Sequence, residues 1–282
     1  MFRFIFLMFL TFSLSVFPQL KISTTIYPFK SILQELTGKR AEINVILPPS
    51  ADPHTFELTT SDYKKISNSK VIFFGSENLD EWITKVEGVK KIELIKLVPQ
   101  KFLKNIIGAN NKDYGTDPHF WTDPLTVKAL IPNLVKELIK LDPEGKEIYK
   151  KNADSFSEQL TNLDKKLSSE LAAFKNKNVI LSHPFYCYFL NRYGINVVGI
   201  VEISPGYQST PKDIKNLLDI SKEKNVNVIF KLANHPEQTT KVFAETSGIK
   251  TVEIDPFGGV EGRMTYVQII NYNAKKILNA LK

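Results

Sequence analysis

Short apolar runs alternate with amphipathic stretches along most of the chain. Residues 21–27 form a β-branched run closed by Pro28 and predict a strand. Apolar residues at helical spacing then cover 29–36 and stop at Gly38, a good helix terminator. Residues 41–47 predict a second strand, ended by Pro48 and Pro49. A short helix over 62–66, a buried strand over 71–74, a helix over 79–84 and a strand over 91–97 follow. Strands alternating with helices at this spacing predict a mainly parallel sheet covered on both faces.

The pattern changes over residues 142–175. Phe156, Leu160, Leu163, Leu167, Leu171 and Phe174 recur at three- and four-residue steps, and neither proline nor glycine interrupts the run after Gly145. The spacing predicts one amphipathic helix of roughly thirty residues, about 45 Å long. Alternation then resumes, with strands over 179–181, 195–201, 226–230 and 251–254. Helices are predicted over 185–193, 212–223, 239–247 and 266–281, the second introduced by Ser209, Thr210 and Pro211 as caps and first turn. The fold class is α/β: two doubly wound α/β lobes, 18–141 and 177–282, joined by one long rigid helix over 142–176. No repeat at solenoid period and no low-complexity tract is present.

Residues 1–17 change the picture of where this fold works. A basic start at Arg3 and an apolar run over 4–17 describe a secretory signal peptide, too short to span a bilayer comfortably. Cleavage is expected after Ser15 or nearer Gln19. The single cysteine, Cys187, lies far from that region, so the expectation is a free periplasmic protein rather than a lipid-anchored one. It also excludes an intrachain disulfide, and its aromatic-rich setting reads as that of a buried small hydrophobe. A hydrophobic content of 43% and 24% charged residues are ordinary for a globular protein. The formal charge of +7 is spread over lysine pairs on predicted helices, so it reads as solvated faces and excludes a nucleic-acid reader.

The chemistry lies in the histidines, of which there are four. His54 follows a strand and a proline-rich bend, His119 ends a loop in Asp117-Pro118-His119, and His183 directly follows the strand over 179–181. Asp255 follows the strand over 251–254 in the same way. In open α/β sheets the carboxyl ends of strands form the ligand crevice. Three imidazoles and a carboxylate, two donors from each lobe, suit a tetrahedral zinc ion with ligands at about 2.0–2.2 Å. Spacing alone leaves open whether these are ligands or satisfied polar residues. His235, several residues beyond its strand, reads as a rim residue.

Taken in order, Pro53-His54-Thr55-Phe56-Glu57, Asp117-Pro118-His119-Phe120-Trp121, Ser182-His183 and Ile254-Asp255-Pro256 resemble the zinc- and manganese-specific solute-binding proteins of ABC importers. Thr25-Ile26-Tyr27-Pro28, Ile203-Ser204-Pro205 and the stretch from Ser209 to Ile214 are similar too, so the resemblance spans nearly the whole mature chain. It implies a metal buried between two lobes and held by His54, His119, His183 and Asp255. It also implies delivery by a monomer to a membrane permease. A histidine at the third position is common among the family's zinc binders and a glutamate among its manganese binders, so His183 points to Zn2+, with Mn2+ or Fe2+ as alternatives. Two departures stand out. The stretch over 108–116 is short and lacks the histidine-rich loop of many zinc members, and Lys231-Leu232-Ala233-Asn234 replaces a common Glu-Pro pair.

Two other readings compete. A zinc hydrolase would keep three ligands and an open water position, with Glu57 as the best base; no His-Glu-x-x-His stretch is present. A binder of a small organic solute would use the histidines as hydrogen-bond donors. Thr37-Gly38-Lys39 and the run over 258–262 lack phosphate-loop and dinucleotide spacing and read as turns, and Trp82 and Trp121 read as packing groups.

Overall fold

The computed structural model describes residues 19–49, 51–108, 112–203, 209–233 and 238–282. The expected signal segment and His235 lie outside them. In the first half, β1 (Leu20–Thr24), α1 (Tyr27–Thr37), β2 (Ala41–Val45), α2 (Thr60–Ser67), β3 (Val71–Phe74), α3 (Glu77–Asp80) and β4 (Lys90–Glu93) build a parallel sheet in the order β2-β1-β3-β4. A small antiparallel hairpin, β5 (Asn105–Ile107) and β6 (Asp113–Thr116), leads into α4 (Pro124–Leu141) and α5 (Lys146–Leu171). The second half comprises β7 (Asn178–Leu181), α6 (Cys187–Arg192), β8 (Asn196–Ile200), α7 (Pro211–Glu223), β9 (Val228–Leu232), α8 (Gln238–Ser247), β10 (Lys250–Ile254) and α9 (Tyr266–Leu281). Its strands form a second parallel sheet in the order β10-β9-β7-β8. Both orders reverse beside their first strand, and a reversal of this kind opens a crevice at the carboxyl ends.

The elements follow local chemistry. Thr59, Thr210 and Thr265 each close a capping box with the side chain three residues on, which fixes where α2, α7 and α9 begin. Strand β4 stops at Glu93, short of the expected 97, because the strand beside it offers only Val71 to Phe74 for pairing. Strand β9 begins two residues later than expected, since Asn225 at φ 53° turns the chain out of α7 first. Hairpin β5–β6 and helix α4 were not among the predicted elements. Helix α4 carries Val127, Leu130, Ile131, Leu134, Val135 and Leu138 on its buried side, but Pro132 inside it disguises the periodicity.

Helix α5 has 26 residues, about 39 Å, and tightens into 3-10 turns at Pro143–Gly145 and Ala172–Phe174. Its buried stripe, Tyr149, Ala153, Phe156, Leu160, Leu163, Leu167 and Leu171, packs against α4, α1 and, toward its far end, α9. One apolar cluster runs through both halves, from Leu20 to Ile277, so the helical spine shares a continuous core with each half. No described helix is long and apolar enough to cross a membrane. Cys187 is buried, as its setting suggested.

The start of the spine is pinned electrostatically. Arg40 forks onto Asp142 with Nε–Oδ2 at 2.7 Å and Nη2–Oδ1 at 2.8 Å, and Lys70 Nζ donates to the Leu141 carbonyl at 2.7 Å. The hydrogen bond from Arg40 holds the Asp142 carboxyl below the usual carboxylate range. A lowered folded-state pKa contributes stability above the unfolded value, near 4, and loses it as pH falls through the folded value. Arg40→Met is therefore expected to lower stability toward urea at neutral pH, with the gap from wild type closing below about pH 4. A gap that stays constant on acidification would assign the loss to packing instead of charge.

Candidate metal centre

Two of the histidines are presented by the same short device. In Asp52-Pro53-His54 the His54 amide donates to Asp52 Oδ1 at 2.9 Å, and in Asp117-Pro118-His119 the His119 amide donates to Asp117 Oδ1 at 2.9 Å. An aspartate that bonds the amide two residues on forms a compact turn, and the intervening proline restricts it further. His183 instead leaves the end of β7, where the Ser182 amide donates to the Phe230 carbonyl at 2.9 Å.

The three rings meet. Their donor atoms all lie within 4.8 Å of one another, with ring centroids 5.6 Å (His54–His119), 5.1 Å (His54–His183) and 5.2 Å (His119–His183) apart. Interplanar angles of 63°, 73° and 88° show edges converging, not rings stacking. Two nitrogens bound to one tetrahedral zinc sit about 3.4 Å apart, so small rotations close this triangle on an ion. His119 and His183 are buried, at 1% and 8% exposure.

Neighbours decide which nitrogen faces inward. His119 Nδ1 lies 2.7 Å from Asp117 Oδ1, and a carboxylate offers only acceptors, so the neutral ring carries its proton on Nδ1 and leaves the Nε2 lone pair for a metal. His183 Nδ1 stands 3.3 Å from the Glu202 carbonyl, which acts in the same sense. Asp117 is itself fully buried.

Both indoles serve these loops. Trp82 Nε1 donates to the Pro53 carbonyl at 2.8 Å, and Trp121 Nε1 donates to the Pro256 carbonyl at 3.1 Å. Tyr266 of α9 donates to the Trp121 carbonyl at 2.8 Å, and the Tyr188 hydroxyl of α6 donates to the Asp117 carbonyl at 3.2 Å. The loops of the two halves are thus tied across the crevice.

Asp255 stands outside the group of three. Its backbone exchanges hydrogen bonds with the Asn273 side chain at 2.7 and 2.6 Å, and its Oδ1 accepts from the amides of Phe257 and Gly258 at 2.9 and 3.0 Å. Its Oδ2 lies 3.2 Å from Arg263 Nε. A cavity of about 220 Å3 opens beside it, lined by Asp52, Leu232, Ala233, Phe257 and Arg263 among others. Sequence reasoning gave no role to Asp117 or Arg263. The doubled Asp-Pro-His text signalled the first; nothing local signals the second.

Comparison with known proteins identifies relatives of the whole chain. The family model described as "Zinc-uptake complex component A periplasmic" matches residues 22–280. The chain is 26% identical over 269 residues to the manganese-binding lipoprotein MntA of Halalkalibacterium halodurans, covering 93% of this chain and 88% of that one. It is 24% identical over 281 residues to the high-affinity zinc uptake system protein ZnuA of Bacillus subtilis, covering 94% and 87%. Among solved structures, the laminin-binding protein of Streptococcus agalactiae, described as having adhesin and metal-transporting activity, superposes with a TM-score of 0.81. That match has 25% identity and covers 94% of this chain and all of the other.

Proposed function

Because the chain belongs to the ZnuA family of periplasmic zinc-uptake components, we propose that it captures a divalent transition-metal ion, Zn2+ in the first place, and delivers it to the membrane permease of an ABC-type importer. The observation that carries this reading is the convergence of three imidazole donors within 4.8 Å of one another. Imidazole suits zinc better than manganese, which favours oxygen. His54, His119 and His183 supply three ligands, and Asp255 supplies the fourth as the ion is enclosed between lobes 18–141 and 177–282, set about the helix over 142–176.

Four protein ligands close the shell, which suits carriage and leaves no water position for catalysis. Glu57, the base a hydrolase would need, is exposed and outside the donor group. The protein acts as a monomer in the periplasm, exported by the apolar run over 4–17 and free of nucleic acid.

Metal analysis of the purified chain, followed by zinc–manganese competition, tests the proposal. A single tightly held zinc that excess manganese does not displace is the expected outcome; preferential retention of manganese or iron would overturn the metal assignment. In the same assay Asp117→Asn is expected to weaken zinc retention by about 10–100-fold, because an amide no longer fixes the inward lone pair of His119. Undiminished retention would show that Asp117 has no such role.

A further inference from the structure

The glycine-rich turn after β10 brings a cation back onto Asp255. Gly258, Gly259 and Gly262 adopt φ values of 66°, 79° and 76°, a region where side chains are strained. A Cβ on Gly258 would stand 2.5 Å from the Ile269 side chain and 2.8 Å from the Arg263 carbonyl, so this tight fold admits only glycine there. The turn closes through Gly259 N donating to the Arg263 carbonyl at 3.0 Å and Arg263 N donating to the Val260 carbonyl at 2.9 Å. The Arg263 guanidinium then lies over the Tyr272 ring of α9, 4.3 Å from its centroid, with Nε 3.2 Å from Asp255 Oδ2.

This pair differs in kind from the protein's other half-buried arginine–aspartate pairs. Arg40–Asp142 and Arg192–Asp123 are two-pronged, with hydrogen bonds of 2.6–2.9 Å. Arg263 Nε approaches Asp255 without hydrogen-bond geometry, and among the described residues it has no other partner. The contact is a charge neutralisation that breaks without the loss of a well-formed bond. It also places a positive charge on the wall of a cavity that Asp52 lines too, and Asp52 accepts from the amide of His54 in the histidine cluster.

We propose that Arg263 is a built-in competitor for the metal: it occupies the carboxylate of Asp255 before the ion arrives and reclaims it when the ion leaves. This rests on the reading of Asp255 as the fourth ligand. As metal enters, Asp255 Oδ2 exchanges one cation for another, and Tyr272 retains the released guanidinium. The residue therefore sets affinity from outside the shell and favours release to the importer over permanent capture.

Zinc affinity and chelator-driven release, measured on the full mature chain by competition, separate the possibilities. Arg263→Gln is expected to bind zinc about tenfold tighter and to release it more slowly, the size typical of coupled neighbouring charges. Arg263→Lys keeps the charge and is expected to stay close to wild type. In a D255N background the glutamine substitution should have no further effect. A packing defect loosens a site, whereas removal of a competitor tightens it, so tightening identifies the role. If D255N weakens zinc but Arg263→Gln binds no tighter than wild type, the competitor role fails while the four-ligand shell stands. If D255N leaves zinc affinity unchanged, Asp255 is not a ligand and both readings fall.

Discussion

A His183→Ala chain is expected to lose zinc by well over a hundredfold, because a ligand outranks the outer residues whose loss costs about 10–100-fold. The residue leaves β7 on a strand end fixed by the sheet, and its ring closes a triangle with two others within 4.8 Å. Removing it leaves two imidazoles, too few neutral nitrogen donors to replace the water around the ion. The readout is twofold. Chelator competition gives the affinity directly. Thermal melting gives it through linkage, since a ligand at a thousand times its Kd stabilises the native state by about 4 kcal/mol. Zinc should therefore raise the Tm of the wild type and raise that of the variant by no more than about a third as much. Equal zinc-induced shifts in the two proteins would remove His183 from the shell.

The second large effect concerns the junction between the halves. Asp123 is fully buried, caps α4 through the Leu125 amide at 2.9 Å and accepts from the Thr126 hydroxyl at 2.8 Å. Arg192 of α6 completes its environment with Nε–Oδ1 at 2.9 Å and Nη2–Oδ2 at 2.6 Å. Deleting one partner of a buried pair strands the other charge, a loss of about 3–5 kcal/mol. The Arg192 side chain is 27% exposed, and Asp123 keeps its two local donors, so Arg192→Ala belongs at the lower end. We expect roughly 3 kcal/mol, or on the order of 6–10 °C in Tm for a chain of this size. Melting of the metal-free variant against wild type measures it. A change below about 1 kcal/mol would place the pair among the weak surface bridges.

Much of this architecture is legible locally. The helix over 266–281 appears as Tyr266–Leu281, because its capping box and apolar spacing are contained within its own text. The long helix is likewise announced by its uninterrupted stripe, although its ends tighten into 3-10 turns where proline, glycine and the packing of neighbours intervene. Helix α4 is not legible in the sequence because a proline normally ends a helix, and here the surrounding burial of Leu130, Ile131 and Leu134 overrides one missing hydrogen bond. The length of β4 was not legible either, since the strand beside it sets that limit.

The same division runs through the site. Residue type and strand-end placement marked His54, His119 and His183 as candidate donors, and the repeated Asp-Pro-His turns are properties of three consecutive residues. By itself, then, the amino-acid text determined which donors exist, which elements carry them and the class of ion they suit. Only the tertiary structure decided that three rings from separate loops approach within 4.8 Å while Asp255 stands outside them, with Arg263 Nε 3.2 Å from its Oδ2. Turn and helix preferences act over a few residues, whereas distances among positions 54, 119, 183 and 255 depend on how two sheets pack about a common spine.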